Sequence, residues 1–214
     1  RDIFLYHLKK KKLIQLTQTG ISEVSPRWSP DGKYLYFISN RSRPLFPRGI
    51  GNGTHVYRLA LDKFERPFRS EKFDALFEKK RKRRKQKEDE QDESNKKKKK
   101  RKKKLKVQIN FTDLWSRLER VGPGTGTQNS VFVTQRGSKT KVLYTSNHEK
   151  GTAFYIWQTV YEPFKRPRTT KLKGSRANSL QTMRQVKGRQ YLLSFGRIYE
   201  VGSSLRNISV AHTF

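Results

Sequence analysis

The sequence predicts an all-β protein, and three observations support this. Short segments rich in aromatic and β-branched residues recur along the 214 residues, and clusters of glycine, proline and other turn-forming residues separate them. These segments follow one another too closely for the crossover helices of a parallel sheet. The segment YLYFIS at 34–39 has apolar side chains at odd and even positions, which predicts a strand covered on both faces. The expected fold is a stack of antiparallel sheets.

Four strands are predicted in the N-terminal part of the chain. They cover residues 3–8, 13–17, 34–39 and 55–61. The run of lysines at 9–12 lies between the first two and predicts the turn of a hairpin. Strands at this spacing, separated by turn-forming sequence, favour antiparallel pairing.

The C-terminal half repeats this rhythm of strand, turn and strand. Its predicted strands cover residues 131–134, 142–146, 154–159, 191–194 and 197–201. The strand sequences HVYRLAL, AFYIWQT and RIYEVG resemble one another, and four-stranded sheets set in series are typical of a β-propeller. The strands are too few for a closed ring. We therefore predict a partial propeller of roughly two to three blades, whose remainder lies elsewhere.

These predictions divide the chain into four regions. The first propeller blades occupy 1–77, a Lys/Arg-rich low-complexity insertion occupies 78–106, further blades occupy 107–202, and a tail occupies 203–214. The chain begins directly in strand-like sequence, which indicates a segment of something longer. It shows no signal-peptide layout and no apolar run of the roughly 18 residues that a membrane helix needs. This favours the cytoplasm over the periplasm and predicts no membrane contact.

The stretch SPRWSPDGKYLYFIS contains the strongest local motif. Pro30 favours the first central position of a type I turn, Asp31 can accept a hydrogen bond from a nearby amide, and Gly32 adopts a left-handed conformation at low cost. With Ser29 they predict a tight turn before the next strand. The ring of Trp28, just before the turn, is expected to pack against a neighbouring sheet. These five residues form the predicted structural motif of a blade.

The segment NFTDLWSRLERV at 110–121 breaks the strand rhythm. Its apolar residues recur at spacings of three and four, which predicts one apolar helical face. They are Phe111, Leu114, Trp115 and Leu118. Thr112 can cap the helix, and the side chains of Arg117, Glu119 and Arg120 would point to solvent. We predict a short helix or helical turn near 112–120 that docks on the sheets.

Charge is the most unusual property of the composition. The chain has 50 Lys and Arg residues against 18 Asp and Glu, a formal charge of +32. The insertion at 78–106 contains no aromatic residue and a single aliphatic one, Leu105, so we expect it to be disordered or a solvated helix. From Lys79 to Lys104 it offers a surface for RNA or DNA, with sequence-independent and salt-sensitive binding. A solvated loop between two strands is the other interpretation.

No catalytic, cofactor or metal site can be assembled from the sequence. The lack of cysteine excludes disulfides and thiolate zinc sites. The histidines His7, His55, His148 and His212 lack helical metal-pair spacing, and the two in predicted strands, His7 and His55, are expected to be structural. No GxSxG motif is present. The segment GPGTGTQ at 122–128 lacks the Lys-Ser or Lys-Thr of a phosphate-binding loop and predicts a connection between strands.

The stretch SEVSPRWSPDGKYLYFISNR, with the dipeptide LT before it, resembles the blade motif of TolB-like propellers. The sequence that follows resembles, more specifically, the tricorn-type serine peptidases. The strand HVYRLAL, the connection ALDKFERPF, a lysine-rich insertion and VQINFTDLWSRLERV occur here in that family's order. Positions that fit the family pattern are Ile109, Phe111, Leu114, Arg117 and Val121, whereas Asn110 replaces its aspartate. The resemblance covers roughly 3–173 and is strongest at 24–61 and 105–121.

The resemblance implies a non-catalytic role for this chain. Tricorn-type enzymes place propellers ahead of a hydrolase module that contains a PDZ-like domain, the catalytic serine and its histidine. Their propellers guide or filter peptides toward that module. We therefore expect peptides or proteins as partners, and the remainder of the propeller and the catalytic module in a longer chain or another subunit. A polyanion-binding module and a TolB-like protein-interaction scaffold are the alternatives.

Overall fold

A computed structural model describes residues 1–18, 20–41, 53–63, 107–149, 153–177, 180–186, 189–194, 197–202 and 205–208. The insertion at 78–106, His212 and the expectations attached to them lie outside these residues. Within the described ranges the protein is all-β, as the sequence predicts, and a single 3-10 turn is its helical element. No helix in these ranges has the length and apolar character needed to cross a membrane.

The described strands form one hairpin and three four-stranded sheets. The N-terminal hairpin pairs β1 (Phe4–His7) with β2 (Lys12–Gln15). The first sheet contains β3 (Glu23–Trp28), β4 (Tyr34–Ser39), β5 (His55–Ala60) and β6 (Leu118–Arg120). The second sheet contains β7 (Gln128–Arg136), β8 (Lys139–Ser146), β9 (Tyr155–Tyr161) and β10 (Arg168–Arg176). The third sheet contains β11 (Thr182–Val186), β12 (Arg189–Ser194), β13 (Arg197–Val201) and β14 (Leu205–Ile208).

Each of the three sheets is an open antiparallel meander. Its strands pair in the order in which they occur along the chain, so every connection within a sheet joins neighbours. Two strands of each sheet are central and two are edges. Strand β3 tolerates Pro26 because it is an edge strand, where a missing N–H breaks no ladder bond on the open side.

Strand β4 is buried on both faces, as its sequence predicts. Leu35 and Phe37 pack toward the N-terminal hairpin, in a core that includes Ile3. Tyr36 packs the other way, in a core shared with Tyr144 of the second sheet. The first sheet therefore lies between the hairpin and the second sheet.

Strand β8 repeats this two-sided arrangement one sheet further along. Val142 and Tyr144 belong to the core shared with the first sheet. Leu143 faces the other way and packs with Ile156 and with Leu192 of the third sheet. Burying one such side chain contributes roughly 1.5–3 kcal/mol, so these cores hold the sheets in a face-to-face series.

Every strand predicted from the sequence is present, to within a few residues at its ends. Five further strands are not predicted, namely β3, β6, β10, β11 and β14. Strand β14 corrects the tail set at 203–214, because the third sheet continues past residue 202 by pairing β14 with β13. All five lie at the edges of sheets, where fewer side chains are buried.

Of the short helix or helical turn predicted near 112–120, the helical turn is confirmed, and the described residues contain no longer helix there. Leu114–Arg117 forms a 3-10 turn, and Leu118–Arg120 continues as β6. The residue before the turn is Asp113, with φ 51°, and it makes no side-chain cap; Thr112 is not the cap. Pairing with β5 satisfies the backbone of this segment and so competes successfully with helix formation.

The side chains of the same segment do not form one apolar face. Leu114 is buried against the first sheet, as a docked turn requires, but Phe111 is 50% exposed. Arg117 was expected to point to solvent, yet its guanidinium donates to the carbonyl of Asn110 and is partly buried. The apolar residues at spacings of three and four therefore belong to two backbone conformations, the 3-10 turn and strand β6, and not to one helix.

The predicted turn between β3 and β4 is confirmed. The N–H of Gly32 donates to the carbonyl of Ser29 (2.9 Å), and Gly32 has φ 70°. Asp31 accepts from the N–H of Lys33 (3.1 Å) and from the hydroxyl of Ser29 (2.5 Å). The buried Ser29 oxygen also accepts from the N–H groups of Lys33 (3.1 Å) and Tyr34 (2.8 Å). Ser29 is therefore the centre of the turn.

Trp28 does not act as the sequence predicts. Its side chain is 45% exposed and belongs to none of the three cores. Trp28 lies opposite Leu35, on the side of the first sheet that faces the hairpin, but it is the last residue of the edge strand β3 and its ring is only partly covered there.

Replacing Ser29 with alanine is expected to lower the free energy of unfolding by about 1–3 kcal/mol, because the partly buried N–H of Tyr34 would lose its hydrogen bond to the Ser29 hydroxyl. Urea unfolding measures this difference. The control is Ser138→Ala in the exposed turn between β7 and β8, for which we expect a change within about 0.5 kcal/mol. Equal effects of the two substitutions would contradict the assignment of Ser29 as the centre of the turn.

Candidate functional site

A cleft of about 440 Å³ lies between β6 of the first sheet and strands β9 and β10 of the second. Trp157, Thr159 and Tyr161 occupy alternate positions of β9 and so project into it from one face. Glu119 and Arg120 of β6 line the cleft from the first sheet. Aromatic walls with a few converging polar groups are typical of ligand-binding sites.

His148 and Trp157 form one end of this cleft. Their rings are 4.1 Å apart between centroids, and the Nδ1 atom of His148 lies 2.8 Å from the hydroxyl oxygen of Ser146. Burial lowers the pKa of His148; Glu149 partly opposes this, and Lys171 adds to it. The imidazole is therefore neutral at physiological pH and can both donate and accept a hydrogen bond.

A row of hydroxyl groups crosses the floor of the cleft. The hydroxyl oxygens of Tyr144 and Thr159 are 3.2 Å apart, and those of Thr159 and Thr169 are 2.9 Å apart. Burial raises the pKa of Tyr144, so this row is uncharged. Beside it, the indole N–H of Trp157 is buried and has no partner among the described residues. An unpartnered buried donor costs about 1–3 kcal/mol.

Arg58 fixes the wall of the cleft where the two sheets meet. It pairs with Glu119 at 2.5 Å and lies between two rings, 3.9 Å from the centroid of Tyr161 and 5.1 Å from that of Tyr34. Burial acts to lower the pKa of Arg58, but Tyr161 and Glu119 outweigh it and raise that pKa. Burial raises the pKa of Tyr161 to about 12. The wall is thus a charged group held between neutral rings.

This arrangement is suited to binding by hydrogen bonds and ring contacts. Ser146 and His148 are two residues apart, and Ser146 is fully buried, so its hydroxyl closes a local turn and does not face the cleft as a nucleophile would. The carboxylate of Glu119 is held by Arg58. The cleft therefore offers donors, acceptors and apolar walls to an extended ligand.

The other two described histidines, His7 and His55, do not line the cleft. His7 is exposed on β1, where its Nδ1 accepts from the N–H of Lys10 (3.1 Å). His55 is buried at the start of β5, and burial, aided by Arg120, lowers the pKa of His55. No group of His, Asp and Glu residues within the described ranges is arranged to hold a metal ion.

The predicted structural motif lies outside the cleft. Its residues, Trp28, Ser29, Pro30, Asp31 and Gly32, belong to the end of β3 and the turn to β4, and none of them lines the cleft. Their role in the structure is to fix the β3–β4 hairpin.

The segment GPGTGTQ connects β6 to β7, as predicted, and also closes one side of the cleft. Gly122 has φ 76°, and a Cβ atom there would lie 2.1 Å from the hydroxyl of Tyr144. The amide of Gln128 accepts from the N–H of Val56 (2.8 Å) and donates to the carbonyl of Pro123 (3.1 Å). This connection is held to the first sheet by side-chain hydrogen bonds.

The sequence alone does not reveal the whole cleft. The alternation in YIWQTVY predicts that Trp157, Thr159 and Tyr161 share one face of a strand. Glu119 and Thr169 come from β6 and β10, two strands that the sequence does not reveal. Their convergence depends on how the two sheets stack.

Comparison with known proteins adds no relative: no protein-family model, curated protein or solved structure matches this chain.

Stability is expected to fall as the pH is lowered from about 7.5 to about 5.5. His55 and His148 have lowered pKa values in the folded protein, so below about 6.5 the unfolded chain binds more protons and is favoured. His148→Gln should remove part of this fall, measured as the difference in urea midpoint between the two pH values. The matched control, His7→Gln, changes an exposed histidine outside the cleft. The interpretation fails if His148→Gln loses stability as steeply as the unmodified chain.

Proposed function

We propose that this chain is a non-catalytic β-propeller segment of a tricorn-like serine peptidase and that it guides or filters peptide substrates. The observation that carries the proposal is the series of three four-stranded meanders packed face to face. Propeller blades have this strand order and this packing. The sequence resemblance at the WSPDG turn, and in the order of features after β5, supports the peptidase context.

The N-terminal hairpin supports the idea that more of a ring exists. It packs on the first sheet as the sheets pack on one another, yet it has two strands where the sheets have four. Phe4 and Tyr6 on its outer face are 51% and 56% exposed. In this proposal the remainder of the propeller, in a longer chain or another subunit, pairs with the free edge of β1 and covers these rings.

The cleft between the first and second sheets is the proposed site of peptide contact. A peptide could form hydrogen bonds with His148 and Thr169, which line the cleft. Pro123 and Tyr161 supply apolar contact for side chains. These contacts are suited to holding a peptide without cleaving it.

Filling the cleft is expected to weaken peptide binding. Thr169→Phe places a ring in the cleft and removes a hydroxyl from its floor. We expect roughly tenfold weaker binding of fluorescein-labelled neutral peptides, measured by fluorescence anisotropy. Ser138→Phe adds the same ring in an exposed turn and should bind like the unmodified chain. Binding that is unchanged in Thr169→Phe would rule out the cleft as the peptide site.

Two observations test the peptidase context. The purified 214-residue chain should not hydrolyse peptides. The coding sequence around it should contain a PDZ-like segment followed by a serine peptidase module. If the flanking sequence holds no such module, the TolB-like interaction scaffold replaces the peptidase, and the binding predictions are unchanged.

The polyanion-binding alternative rests on charge. The segment from Lys79 to Lys104 lies outside the described residues, so its role stays a prediction from the sequence. If this alternative holds, the intact chain binds single-stranded RNA or duplex DNA with an affinity that falls steeply between about 50 and 200 mM salt. Deleting 79–104 is then expected to abolish this binding. Nucleic-acid binding that is absent in the intact chain would exclude it.

A further inference from the structure

A second concave surface lies on the opposite face of β9 and β10 from the cleft. This groove has a volume of about 340 Å³. We call it the cationic groove, and the side chains that define it are Gln158, Glu162, Lys165, Arg166, Arg168 and Thr170. Gln158 and Thr170 are direct cross-strand partners, so they lie on one face of the second sheet.

The register of the second sheet adds further positive charge to the same face. Val160 pairs with Arg168 on one side and with Lys141 on the other, which places Lys141 on the face of the groove. Lys139, two residues before Lys141, pairs with Glu162 at 2.9 Å and therefore also reaches this surface. Cationic side chains thus come from β8, from β10 and from the segment between β9 and β10.

The groove has an excess of cations over acids. Among the described residues Glu162 is the single acidic residue that lines the groove, and Lys139 (2.9 Å) and Lys165 (2.8 Å) both bind it. Hydrogen bonds from Lys165 and Lys139 lower the pKa of Glu162 to about 2, so it is ionised and fully engaged. Arg166, Arg168 and Lys141 have no carboxylate partner in the described part of the chain. Their charge is available to a ligand.

We propose that the cationic groove binds acidic peptide segments, an inference that rests on the proposed peptide-guiding function and names its substrate class. Arg166 and Arg168 present planar guanidinium groups, which bind carboxylates in bidentate fashion. Thr170 and Gln158 add neutral hydrogen-bonding groups beside them. Glutamate and aspartate side chains of an extended peptide match this pattern of charge and hydrogen bonding.

The edge of β10 favours a peptide over a nucleic acid. In the described residues β10 pairs with β9 alone, so its other edge can accept the main chain of an added strand. None of the described residues that line the groove is aromatic, whereas binding of single-stranded nucleic acid depends on stacking of bases on aromatic rings. The same basic residues repel another basic edge strand, including that of a second copy of this chain.

The test compares the affinities of two fluorescein-labelled peptides, one alternating Glu with Thr and Val, the other its Gln counterpart, by anisotropy. The unmodified chain should bind the Glu peptide roughly tenfold more tightly at low salt, and the preference should shrink toward about 0.3 M salt. R166E/R168E should abolish the preference, whereas R166K/R168K should keep part of it. K9E/K10E makes the same charge change in the exposed turn of the N-terminal hairpin and should keep all of it.

The possible results separate this inference from the proposed function. If R166E/R168E and K9E/K10E lose the preference for the Glu peptide equally, the net charge of the chain, including the lysine-rich insertion, attracts the peptide. That result would overturn the assignment of the groove as the binding site. Equal binding of the Glu and Gln peptides by the unmodified chain would leave peptide guiding intact and overturn the acidic preference. Binding of neither peptide would overturn both the acidic preference and the peptide-guiding function.

If poly-uridylate binds more tightly than the Glu peptide, and R166E/R168E removes that binding, the groove is reassigned to nucleic acid. Circular dichroism checks that each variant keeps its strand signal.

Discussion

Burial of the central strands on both faces is the constraint on which the whole structure depends. Strands β4 and β8 carry large apolar side chains at consecutive positions, so neither can lie on a sheet with one face in water. Each needs a second sheet on either side. The hairpin, the three sheets and the cores between them follow from that requirement. The cleft and the cationic groove then form on the two faces of the second sheet, and Trp157 belongs both to a core and to the wall of the cleft.

Aromatic rings add to the carboxylates as partners of the basic side chains in this chain. Outside the insertion at 78–106 the sequence has 32 Lys and Arg residues but 12 Asp and Glu, so carboxylates are fewer than cations. Arg27 lies over the ring of Phe132, and two cations that also pair with a carboxylate lie over rings: Arg41 over Trp115, and Lys171 over Tyr155 at 3.5 Å. A contact of this kind is worth about 0.5–1 kcal/mol at an exposed site and about 2 kcal/mol when it is desolvated. Sheets with a strongly positive charge can therefore pack closely.

Sequence reasoning succeeds here where the signal is local and fails where it depends on neighbours. The Ser29–Gly32 turn is predictable because its hydrogen bonds lie within six consecutive residues. Strands at the centre of each sheet are predictable because both their faces are apolar. Five edge strands are not predicted because their exposed positions are polar, as in RTTKLKGSR of β10. The cleft and the groove are not predicted for a further reason. Their residues come from several strands, including β6 and β10, and meet only when the sheets stack, which no single segment of sequence encodes.

The position of the lysine-rich insertion within the first sheet affects the order in which the chain can assemble. More than fifty residues separate Ala60, the last of β5, from Leu118, the first of β6, although the two strands are neighbours. Closing such a loop costs about 2 kcal/mol more than closing one of five residues. The second sheet has shorter connections and can form while β6 is still unpaired. Because β6 supplies Glu119 and Arg120, the cleft would be completed late during folding, and changes in insertion length would alter the rate of that step.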